Sequence, residues 1–266
     1  MIETKLAGAV QAQIFGKGST LVLFHSLLAD RSSYAGITGP LAEHFRVVLP
    51  NLPGFPGSER VAGPMTAVAD RMADAIRDVA TGEKVMLLGN GYGGFAALTL
   101  AIRHPDLVSR LVLANAGATF PELGRETFRT MARVAESQGL EAIADVAMRR
   151  LFAPEFRAAN PTLVAERRQR FLAMDQQVLI AACHALSELD LRPQLAQVAV
   201  PVLAVVGEQD EATPIEMSQE LVAALPRARL VVLHGCAHVP QLQDPEHFLQ
   251  AVMPFLSASM DTDARS

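Results

Sequence analysis

Leu87-Leu88-Gly89-Asn90-Gly91-Tyr92-Gly93-Gly94-Phe95 is the stretch around which the chain is organised. A short apolar strand, Val85 to Leu88, runs into a glycine cluster and then directly into a helix of small and apolar residues, Phe95 to Ile102. A turn this tight presses backbone against backbone and asks for small residues at Gly89, Gly93 and Gly94. The N-terminus of the following helix offers unsatisfied N–H groups to whatever lies over the turn.

On either side of this turn, strand and helix alternate. Thr20-Leu21-Val22-Leu23-Phe24 is a continuous apolar run, as expected of a strand buried on both faces. A helix follows over roughly Tyr34 to His44, then a strand from Arg46 to Leu49 and a Pro/Gly-rich loop from Pro50 to Pro64. Thr66 is the expected cap of the next helix, where Val68, Met72, Ala75, Ile76 and Val79 recur at helical spacing. Beyond the glycine turn come a strand from Arg110 to Ala114, another from Val202 to Val206, and a last one from Leu230 to Leu233. Residues 2–15 read as two antiparallel strands punctuated by Gly8. Between about Thr119 and Gln197 the pattern is helical throughout, with breaks at Gly139, Pro154 and Asn160-Pro161. Asn160 reads there as an N-cap, with Pro161 at the first helical position. Thr213-Pro214-Ile215-Glu216 reads as a capping box, and Asp244-Pro245 opens the last helix.

This order predicts a mostly parallel, eight-stranded α/β sheet with helices on both faces. Residues 1–118 and 198–258 form its core, 119–197 a helical cap over the carboxyl edge, and 259–266 a frayed tail. In such sheets, sites form outside the carboxyl ends of the strands. The loops expected there, 25–30, 89–93, 207–213 and 234–240, hold most of the reactive side chains.

Composition narrows the function. The chain has 266 residues, half of them hydrophobic, and a net charge of −5, which leaves no basic footprint for nucleic acid or an anionic membrane. Its two cysteines, Cys183 and Cys236, suggest neither a disulfide framework nor a zinc site. No signal segment or membrane span is apparent, so a cytoplasmic protein is expected. No metal or organic cofactor is expected either. The expected partner is a small-molecule substrate, with room for a homo-oligomer.

The motif at 89–94 resembles the nucleophile elbow of the α/β-hydrolase family, G-x-S-x-G, and the resemblance spans about residues 2 to 256. His25-Ser26-Leu27 matches the family's oxyanion loop. Asp210, in Gly207-Glu208-Gln209-Asp210, matches its catalytic acid, and His238 its catalytic histidine, in the family's chain order. His25 to Asp30, with Leu52-Pro53-Gly54-Phe55, looks most like the branch containing 3-oxoadipate enol-lactonases. Asn51 and Pro56 depart from that pattern in ways expected to alter loop shape. The resemblance implies oxyanion-hole donors at the Leu27 and Tyr92 amides. It gives Ser26 a part in orienting substrate or replacing the nucleophile, and His25 a structural role in orienting the loop.

Each assignment has a plainer competitor. Asp210 can be read as a turn residue, His238 as an ordinary loop histidine, and His234 as a rival to it. Cys236 reads as an inert buried thiol. Arg125, Arg129 and Arg133 recur every four residues, as on a solvated helix face, but Arg125 or Arg129 binding a substrate carboxylate would suit an acidic substrate.

The departure that matters is Gly91, at the nucleophile position. Glycine carries no hydroxyl, so no acyl-enzyme can form there, and losing a triad nucleophile costs about 10⁶ in turnover in a well-studied protease. Three readings stand. In the first, a His238–Asp210 dyad with its oxyanion hole hydrolyses an enol-lactone, an ester or a C–C bond beside a carbonyl. The second is a serine hydrolase inactivated at its nucleophile, and the third a non-catalytic receptor for a small ligand.

Overall fold

A computed structural model describes residues 1–80 and 82–258; the expected tail at 259–266 lies outside them. The strands are β1 (Ile2–Leu6), β2 (Val10–Phe15), β3 (Thr20–Phe24), β4 (Arg46–Pro50), β5 (Val85–Asn90), β6 (Val108–Ala114), β7 (Val202–Gly207) and β8 (Ala228–Leu233). They form one sheet in the order β1-β2-β4-β3-β5-β6-β7-β8. The β1–β2 and β2–β4 pairs are antiparallel, and every pair from β4 to β8 is parallel. This is the mostly parallel eight-stranded sheet that the strand–helix alternation predicts, and it agrees with the fold that the resemblance implies.

The apolar runs in the central strands follow from burial on both faces. Alternate side chains point to opposite sides of a strand. Val22, Phe24, Val85 and Leu87 therefore pack with α2 (Met65–Ala80) and α3 (Tyr92–Arg103). Leu21, Leu23, Met86 and Leu88 face the other way, with α1 (Ala35–Ala42) and with Phe248, Val252 and Phe255 of α11 (Pro245–Ser257). A side chain at Gly93 would run into the Phe24 carbonyl of β3, so α3 crosses the sheet at backbone distance.

Between β6 and β7 lie five α-helices, α4 (Glu122–Gln138), α5 (Glu141–Leu151), α6 (Pro154–Ala159), α7 (Pro161–Leu172) and α8 (Gln176–Glu188), followed by a 3-10 helix over Arg192–Gln197. Gly139 ends α4 at φ 80°, and Pro154 and Pro161 open α6 and α7. The two ends of this insertion meet where Thr119 bridges Asp190 in antiparallel fashion.

Several local expectations are corrected. Thr66 lies inside α2, which already begins at Met65. Asn160 flanks α7, but its side chain turns back to donate to the Phe156 carbonyl instead of capping. Thr213 does not cap α9 (Ile215–Ala224), because its hydroxyl is drawn to Asp210. Asp244 does cap α11, accepting from the His247 amide. Asn51 donates through Nδ2 to the Pro56 carbonyl, which closes the loop after β4 around both departures from the family pattern.

Candidate active site

The turn from β5 into α3 carries Gly91 at φ 53°, ψ −120°. A residue with a side chain is strained there, whereas glycine is at little cost. Gly91 donates its amide to the Ala114 carbonyl, and the Phe95 amide donates to the Gly91 carbonyl, so the turn is fixed without any side chain.

His238 stands over this turn. A Cβ built on Gly91 would lie 2.5 Å from His238 Nε2 and 2.7 Å from Ser26 Oγ. The imidazole edge and the serine hydroxyl thus flank the point from which a nucleophile's side chain would start. On its other edge, His238 Nδ1 is 2.9 Å from Asp210 Oδ2.

Asp210 is buried at the end of β7 and strongly held. Oδ2 also accepts from Asn115 Nδ2 at 2.7 Å and from Thr213 Oγ1 at 2.5 Å. Oδ1 accepts from the Ala212 amide at 2.8 Å and the Thr213 amide at 3.2 Å. Burial alone would raise its pKa. The charge of His238 and hydrogen bonds from His238, Thr213 and Asn115 outweigh burial and hold the carboxyl below its ordinary value. An ionised Asp210 accepting at Nδ1 leaves Nε2, on the Gly91 side, as the basic nitrogen.

The loop after β3 is set by His25. The Leu52 amide donates to its Nε2 at 3.1 Å, so Nδ1 carries the proton and donates to the Ser26 carbonyl at 2.9 Å. Burial pushes the His25 pKa down to about 4, so the ring stays neutral. A trans peptide places its N–H opposite its C=O. Pinning the Ser26 carbonyl to His25 therefore turns the Leu27 N–H the other way. Tyr92 is the first residue of α3, and its N–H has no carbonyl one turn earlier to bond. Both residues line the cavity above Gly91.

That cavity is small, about 40 Å³, and opens to solvent. Ser26, Thr213 and His238 supply its polar floor. Phe95, Phe120, Phe128, Met131 and Leu186 make apolar walls, and Arg150 of α5 joins them from the insertion.

Arg125 and Arg129, expected to bind substrate, do not line this cavity. The Arg125 guanidinium donates to the Phe120, Ser187 and Leu189 carbonyls and to Thr119 Oγ1, so it ties the two ends of the insertion together. Arg129 pairs with Glu122 and Glu126, and Arg133 with Glu126, on an exposed face. His234 is exposed and pairs with Glu208, away from Asp210. Cys236 is buried, which raises its thiol pKa to about 11.

Four residues around the site are not singled out by the sequence. Asn115, at φ 52° after β6, holds Asp210 and donates to the Ala237 carbonyl. Asn90 donates to the His238 carbonyl at 2.8 Å and accepts from Gln241 at 3.1 Å, which ties the elbow to the histidine loop. Arg150 is the fourth. Only Asn115 had a readable cue, an asparagine directly after a parallel strand at the sheet's carboxyl edge.

The comparisons agree with this fold. The model of the alpha/beta hydrolase fold family matches residues 19–245. RutD of Serratia proteamaculans (strain 568), named for carbamate hydrolysis, is 29% identical over 262 residues, 95% of this chain and 98% of its own. The 3-oxoadipate enol-lactonase 2 of Acinetobacter baylyi is 30% identical over 164 residues, 62% of this chain and 60% of its own. The solved enol-lactonase from Burkholderia xenovorans LB400 is 26% identical and superposes with a TM-score of 0.89, covering 97% of this chain and 100% of that one. Matched along most of its length by the family model, and by an enol-lactonase over its whole fold, the chain belongs to the α/β-hydrolase family, with glycine at the turn where β5 enters α3.

Proposed function

We propose that this protein hydrolyses a small carbonyl compound, an ester or enol-lactone, by direct attack of water activated by the His238–Asp210 dyad. The observation that carries the reading is the placement of His238 Nε2 beside Gly91 while Asp210 holds Nδ1. His238 takes a proton from water, whose oxygen adds to the substrate carbonyl. The Leu27 and Tyr92 amides receive the negative charge that develops on the carbonyl oxygen. When the tetrahedral adduct collapses, the imidazolium returns its proton to the departing alkoxide or enolate. Asp210 stays ionised throughout and fixes the tautomer. Ser26, beside Nε2, orients the water. The fold, and relatives named as enol-lactonase and carbamate hydrolase, support the reaction class.

The test is a single turnover in ¹⁸O-water over a panel of lactones and activated esters, followed by intact-protein mass spectrometry. The acid product should carry one ¹⁸O, with no covalent adduct on the protein at any time, and His238→Ala should abolish product. An acyl group trapped on Ser26 would sink the direct-attack mechanism.

A further inference from the structure

The cavity above Gly91 contains a cation with nothing to balance it. Arg150 lies in the last turn of α5, half-buried, and lines the cavity with Phe95, Phe120, Phe128 and Met131. No hydrogen bond or ion pair joins its guanidinium to any other described residue. Elsewhere in the insertion, Arg125, Arg129, Arg133, Arg168 and Arg170 all have carboxylate, carbonyl or hydroxyl partners. No acidic side chain lines the cavity, since Asp210 sits behind His238. A cation at a helix C-terminus is favourable in itself. Arg149, on the same turn but exposed and outside the cavity, already provides that.

Half-buried and unpaired at the edge of an aromatic-walled cavity, the Arg150 guanidinium can take an anion without breaking an existing bond. Its planar fork matches a carboxylate, which can take two parallel charge-assisted hydrogen bonds. We propose that Arg150 binds a carboxylate of the substrate, so that the compounds accepted are small carbonyl acids. Such a molecule has its acid group on α5, an apolar body against the phenylalanines, and its reacting carbonyl at the Gly91 end. This rests on the hydrolytic reading above only for the identity of the reacting end; the anion subsite itself is a matter of binding.

The experiment is therefore calorimetric. 4-Oxo-4-phenylbutanoate and its neutral amide are titrated into the full chain, into Arg150→Gln, Arg150→Lys and Arg149→Gln, and into His238→Ala. The acid should bind about tenfold or more tighter than the amide, the scale of a charge-assisted pair. That preference should shrink as salt is added, vanish in Arg150→Gln, survive in part in Arg150→Lys, and be unchanged in Arg149→Gln. It should also persist in His238→Ala, which separates the subsite from turnover. A chain that turns over no lactone or ester yet shows this pattern loses the hydrolytic reading and keeps the subsite. Equal binding of acid and amide, no binding of the acid, or a preference that survives in a folded Arg150→Gln protein overturns the subsite, whatever the turnover.

Discussion

At residue 91, backbone and space make different demands. The backbone sits at a φ that favours glycine, and the space above it is flanked by His238 Nε2 and Ser26 Oγ. Gly91→Ser should therefore lose more than the 1–3 kcal/mol or so of backbone strain, because its Cβ must displace an imidazole tethered to Asp210. Ser26→Ala removes one of the two obstructions. Urea unfolding of the two single variants and the double variant should show that Ser26→Ala relieves part of the Gly91→Ser penalty, a coupling of about 0.5–3 kcal/mol between neighbouring sites. Additive penalties would mean that the two groups do not compete for the space. Asn115 makes a simpler case. Asn115→Ala removes a hydrogen bond to a buried carboxylate, and about 1.5–3 kcal/mol of stability should go with it.

At the scale of elements, the glycine turn belongs to three strands at once. Gly93 lets α3 cross β3 at the Phe24 carbonyl, so Gly93→Ala should destabilise by about 1–3 kcal/mol, as overpacking does, although alanine favours helix. A denaturant midpoint equal to that of the parent chain would show that the crossing can widen. The sequence disclosed this part of the molecule well because its signals are local. Apolar runs of strand length, glycines at a turn, and Pro154 and Pro161 at helix starts each carry their meaning within a few residues. His238 and Asp210 were legible through their place after late strands. What stayed hidden depends on partners distant in sequence. Thr213 has the spacing of a helix cap, but a buried carboxylate three residues earlier takes its hydroxyl. Arg125 and Arg129 lie on one helix stripe with Arg133, yet the fold uses the first as a clasp and leaves the others in exposed ion pairs. Periodicity gave Arg150, the arginine that reaches the cavity, no mark at all.

For the whole molecule, pH and the insertion's neck are the two levers. His25 has a folded pKa of about 4 against an ordinary 6.5, so between those values the unfolded chain binds a proton that the native chain refuses. Stability is then full above pH 6.5 and falls as pH drops through the window, by up to about 1.4 kcal/mol per unit. Asp210, depressed instead, adds its loss at still lower pH, below its ordinary 3.8. Unfolding free energies measured across this range should flatten between pH 6.5 and 4 in His25→Gln; an unchanged slope would exclude His25 as the source. Among the described residues no helix is long and apolar enough to cross a membrane. Arg125→Ala should speed amide hydrogen exchange in α4 and α8 while leaving β5 and β7 protected, since the guanidinium joins the ends of the insertion and touches no sheet strand. A bare turn at residue 91 also bears on the enzyme's product chemistry. Where an acyl group is parked on the protein, methanol and water compete for one shared species, and the proportion of methyl ester to acid is the same whichever leaving group the acyl came from. Under the direct attack of water proposed above, each substrate would meet solvent with its leaving group still attached. The proportion should then change from one leaving group to the next, and synthetic acyl transfer to added alcohols should be correspondingly poor.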